Sequence, residues 1–130
     1  MIVSGVLTLT MVYATIAPEA ALQSTFGATV GGPVADIVVR NWGALIGLMG
    51  GMLIYAARTP ELRPLALVVA GMSKAVFILL VMSHGVRFLG HQAAIAVIVD
   101  LIWVAVFAAY LLAVRRSAQG KKGGATMNAV

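Results

Sequence analysis

Four apolar runs dominate the chain, and each approaches the roughly 20 residues that carry a helix across a hydrocarbon core about 30 Å thick. The first covers residues 2–17 and ends at Pro18. It is the most polar of the four, with Ser4, Thr8, Thr10 and Thr15. The second begins at Pro33, a favourable first-turn residue, and covers residues 33–57. The third covers residues 64–83 and the fourth residues 93–114. The pattern predicts an all-α integral membrane four-helix bundle with short connections.

Between the first two runs, Pro18–Phe26 has the marks of a short helix. Pro18 fits its first turn, Glu19 suits the positive end of the helix dipole, and Gly27 can close it. Residues 18–32 are expected to lie as a segment on the outer membrane surface. Residues 117–130, rich in Gly, Ser and Lys, read as a disordered basic tail. The first run lacks the basic flank of a secretory signal, so it is expected to stay as a span.

Composition sharpens this picture. Hydrophobic residues make up 62% of the 130 residues and charged residues 10%. A soluble domain has about 45–50% and 25% respectively, and one this small cannot hide so much apolar surface. The absence of cysteine excludes disulfides, thiolate metal sites and cysteine catalysis. The net charge of +5 would point to nucleic acid in a soluble protein. Here the basic residues flank apolar runs, so the bilayer is the expected partner and nucleic acid is not.

Arg58, Arg63, Arg115, Arg116, Lys121 and Lys122 fall on one side of the predicted topology. By the positive-inside rule that side is cytoplasmic, with both termini there and the chain in an inner membrane.

Four ionisable residues fall inside the predicted spans: Asp36, Arg40, Lys74 and Asp100. Each is costly in hydrocarbon, at least about 2.5 kcal/mol near a helix centre. At 1.5 Å per residue, Asp36 lies near the outer surface, Arg40 and Asp100 about 10 Å in, and Lys74 about 15 Å in. They are expected to form a buried charged cluster in which Asp100 pairs with Lys74, Arg40 or both, and Asp36 with Arg40 at i, i+4. Such a cluster either locks helix packing or lines a polar pocket for an ion, proton or anionic headgroup.

Gly43, Gly47 and Gly51 recur every four residues in the second span, a pattern that lets membrane helices approach closely. Trp103, Phe107 and Tyr110 share one broad face of the fourth span and are candidates to line a pocket. His84 and His91 flank the outer turn with Arg87 and read as solvated. Both sit in one short segment, which argues against haem, and too few ligands accompany them for a metal. Nothing matches a Ser-His-Asp triad, a P-loop or a dinucleotide fingerprint, and no cofactor is expected.

The run Arg40-Asn41-Trp42-Gly43, then Gly50-Gly51-Met52-Leu53-Ile54-Tyr55-Ala56-Ala57-Arg58, then Pro60 and Arg63-Pro64 resembles small bacterial four-helix membrane proteins of the DoxX-like type. The resemblance covers spans two and three, about a third of the chain. It implies a four-helix bundle, in some cases an accessory to membrane redox complexes, and carries over no catalytic residue.

Three function classes follow. The first is a non-enzymatic accessory or oligomer-forming subunit, working as a homo-oligomer or in a larger membrane complex. The second is a small oligomeric transporter or channel for an ion, proton or small polar solute. The third is a binder or enzyme for a lipophilic molecule such as a lipid or quinone.

Overall fold

The computed structural model describes residues 1–84, 90 and 92–127. The described chain is almost entirely helical. Helix α1 (Ile2–Leu9) passes through a 3₁₀ turn (Thr10–Val12) into α2 (Tyr13–Ile16), so the first apolar run is one continuous but locally tightened rod. Helix α3 is Pro18–Phe26, α4 is Pro33–Arg58, α5 is Arg63–Ser83 and α6 is Gln92–Met127, with a 3₁₀ turn (Pro60–Leu62) before α5. Among the described residues, α4, α5 with its preceding turn, and α6 to Ser117 are long and apolar enough to cross a membrane.

Punctuation by proline and glycine explains most boundaries. The four prolines all sit in the first turn of a helical element, where the missing N–H is no loss. Gly27 closes α3 in the left-handed region at φ 68°, and its N–H donates to Gln23 O at 3.0 Å. Gly32 precedes α4 at φ 98°, a backbone state that costs glycine little.

Helix α6 departs from expectation at its end. The backbone of residues 117–127 continues the helix, where the sequence reading expects a disordered tail. No proline interrupts the chain after Gln92. Adding residues to a helix already nucleated is far easier than starting one, and the helix runs on in spite of Gly120, Gly123 and Gly124. Residues 128–130 lie outside the described residues, as do Arg87 and His91.

The first rod lies antiparallel on α4, with Gly5 beside Ile54 and Thr15 beside Gly43. Helix α4 packs on α5 through the short turn, and α5 pairs closely with α6. The core lies where these elements meet. Leu53 of α4, Leu67 and Ala70 of α5 and Phe107 of α6 are buried together, with Met1, Met49, Trp103 and Leu111 against them. Helix α3 rests on α4 and α6, and its Phe26 ring lies 6.2 Å from Trp42, tilted by 38°. Large apolar side chains cover the outside, among them Leu48, Leu79 and Ile95, each about two-thirds exposed.

Candidate functional site

The four charges anticipated inside the apolar runs form two pairs. Lys74 on α5 donates a hydrogen bond from Nζ to Asp100 Oδ1 on α6. The two side chains are only 12% and 16% exposed, so each charge has left solvent largely in the company of the other. The antiparallel α5/α6 pairing brings them level: Gly71 and Phe107, nearer the other end, also meet across it.

Asp36 and Arg40 form the second pair, one turn apart on α4, with Arg40 Nε donating to Asp36 Oδ2 at 2.8 Å. The Arg40 and Asp36 side chains are 44% and 47% exposed, so the expectation that all four charges are buried is corrected here. The reason lies in what else Arg40 holds. Its Nη1 donates to Thr15 O at 2.6 Å and Ile16 O at 3.3 Å. These carbonyls belong to the last turn of α2, where the break at Ala17-Pro18 removes their intrahelical partners. Thr15 Oγ1 returns a hydrogen bond to Arg40 O at 3.1 Å. A cation at a helix C-terminus is favoured by the local dipole. Arg40 therefore ties the end of the first rod to α4.

The glycines of α4 form the seam against that same rod. A Cβ at Gly43 would stand 2.7 Å from Thr15 N, one at Gly47 would collide with Val12 Cγ2, and one at Gly50 would stand 2.6 Å from Gly5 O and from Leu9 N. Gly51 has nothing within 4 Å of its Cβ position, and its place in the predicted packing stripe is corrected to Gly50. At about 100° per residue, positions 43, 47 and 50 stay within about 60° of one another, whereas position 51 drifts by about 80° from position 43. The 4-3 spacing keeps one face on a shallowly crossing partner; a strict 4-4 spacing does not. Gly5, on the opposing helix, completes the seam: its own Cβ would meet Ile54 Cγ1 at 2.7 Å and Gly50 O at 2.8 Å.

A groove of about 510 Å³ opens where α1, the α4 C-terminus, the start of α5 and the middle of α6 converge. Trp103, Phe107 and Tyr110 line it, together with Ala57, Arg63 and Leu67. Phe107 is also core, 3% exposed, so it forms the floor. Trp103 sits 5.9 Å from it, tilted by 35°. Arg63 Nη2 donates to Ala57 O at 2.8 Å, which fixes the guanidinium at the groove while satisfying a carbonyl at the end of α4.

His84 lies at the end of α5 with Nδ1 2.8 Å from Leu80 O and 3.2 Å from Ser83 Oγ. No group of three or more His, Cys, Asp or Glu side chains able to hold a metal occurs among the described residues.

No protein-family model, curated protein or solved structure matches the chain. The site must therefore be read from its own geometry. Arg63, Thr15, Gly5 and Gly50 are the functional or packing residues that the sequence reading did not single out. Gly50 carried a signal in its 4-3 spacing from Gly43 and Gly47, but the adjacent Gly51 offered an equal one at 4-4. Arg63 was legible only as a flanking charge, since nothing local shows that α6 aromatics stand beside it.

Proposed function

We propose that this chain is a small non-enzymatic integral membrane protein, with the first rod, α4, α5 and α6 forming a four-helix bundle in an inner membrane and both termini cytoplasmic. In this reading it serves as an accessory or oligomer-forming subunit. The length and apolar composition of α4, α5 and α6, and the large side chains exposed along them, support insertion.

One observation carries the functional part. Each of the four charged side chains within residues 33–57, 64–83 and 93–114 has an opposite charge within the chain, Asp36 with Arg40 and Lys74 with Asp100. The Lys74–Asp100 pair joins α5 to α6 and holds those two helices in register, while Asp36–Arg40 is a pair within α4. A transport path needs groups that can release one partner to take up another, and a closed pair offers its charge to its own neighbour first. The pairing thus supports the accessory reading over the transporter reading.

The test begins with membranes from cells expressing the chain. It should resist alkaline carbonate extraction. Native mass spectrometry from detergent or nanodiscs should then show an oligomer or a retained partner protein. A monomer alone at every concentration, with no companion after mild crosslinking, would remove the subunit reading while leaving insertion intact.

A further inference from the structure

The groove beside Trp103 has features that the subunit reading does not use. Its size lies within the roughly 300–1,000 Å³ typical of small-molecule sites. Its walls are mainly apolar, from Leu67, Trp103, Val106 and Phe107, and Tyr110 adds an amphipathic ring. Arg63 stands at one edge of these walls. The hydrogen bond to Ala57 O engages one of the five N–H groups that a guanidinium carries.

The surrounding charge is mainly positive. Arg58 ends α4 and Arg63 starts α5. Because α6 runs antiparallel to α5, Arg115 and Arg116 come to this same end of the molecule, past Leu111 in the core beside Leu67. Glu61, in the turn between Arg58 and Arg63, is the one carboxylate among these positions. Four cations against one anion beside an apolar slot describe the complement of an amphiphile with a negative head. A zwitterionic head would gain little from the excess, and a neutral quinone would leave it unused.

We infer that the groove binds an anionic membrane lipid, with its acyl chain against Trp103, Leu67 and Phe107 and its headgroup phosphate on Arg63. The inference rests on the membrane reading above. Guanidinium groups suit phosphate because their planar N–H fork can donate two parallel hydrogen bonds. Placing the head at the cytoplasmic end also agrees with the side on which anionic lipids attract basic residues.

Trp103 is a reporter already in place, and Trp42 is the only other tryptophan. The chain with Trp42→Phe is reconstituted in vesicles in which either phosphatidylglycerol or phosphatidylcholine carries brominated acyl chains. Quenching of Trp103 should favour brominated phosphatidylglycerol by about fivefold in relative affinity. The Trp103→Phe chain, which reports from Trp42, should show a ratio near one. In the Trp42→Phe background, Arg63→Gln should bring the Trp103 ratio close to the Trp42 ratio, and Arg63→Lys should keep part of it. Val106→Phe, which fills the groove and changes no charge, should lower it as well, and decides the matter should Arg63→Gln fail to fold by circular dichroism.

Equal quenching of Trp103 by the two lipids would overturn the inference and leave the bilayer reading standing. So would a phosphatidylglycerol preference that survives both Arg63→Gln and Val106→Phe. Quenching by neither lipid would take the chain out of the bilayer and overturn both.

Discussion

An ammonium and a carboxylate that leave water together, as Lys74 and Asp100 do, are worth little as a pair and a great deal as a constraint. Desolvating both costs nearly what their attraction returns, whereas removing one strands the other without solvent. Lys74→Met alone, or Asp100→Leu alone, is therefore expected to lower unfolding free energy by about 3 kcal/mol in detergent. The double substitution should recover to within about 1 kcal/mol of the parent. A thermal or chemical unfolding series on the four proteins measures this directly. Additive losses would mean that the two side chains act independently.

At the scale of the helices, neighbouring glycines give opposite expectations. Gly50→Ala pushes a methyl into the backbone of Gly5 and Leu9 and should cost about 1–3 kcal/mol. Gly51→Ala meets open space and should stabilise by about 0.5–1 kcal/mol, because alanine loses less backbone freedom in a helix. Melting temperatures of the two variants, moving in opposite directions, would establish which face of α4 holds the first rod. A loss of similar size in both would place the seam elsewhere.

This pair also shows how far the sequence can be read. Helix starts at the prolines and the left-handed stop at Gly27 are local events, decided by a few adjacent residues, and the chain displays them openly. The Lys74–Asp100 pairing was legible because two expensive groups at similar depth have few places to go. Choosing Gly50 over Gly51 depends on the partner's crossing geometry, which four-residue spacing alone does not encode. The partners of Arg40 were invisible for a deeper reason. Backbone carbonyls have no residue identity, so nothing in the letters around Thr15 announces a need for a guanidinium 25 positions on.

Over the whole molecule, the proposed orientation places the α4–α5 turn and the α6 continuation on one side, and the segment before α4 on the other. The chain contains no cysteine, so single cysteines can report on this without a background. A cysteine at Glu61 or Ser117, both exposed, should react with a membrane-impermeant maleimide only after the cytoplasmic face is opened. One at Gly31, where nothing approaches the added Cβ, should react from outside in intact cells. Labelling of all three from the same side would end the four-crossing arrangement. Loss of the Gly31 signal alone would bury or invert the outer segment.

The bond from Arg40 to the carbonyls of Thr15 and Ile16 has a consequence for biosynthesis. A ribosome makes the first rod well before it makes residue 40. Until then the rod ends on acceptors that the rod itself cannot satisfy. The leading helix is thus left unfinished when it emerges and is completed by the next long one. Under the proposed membrane reading, the two are best regarded as a single hairpin that inserts as a unit, with the later arm closing the earlier.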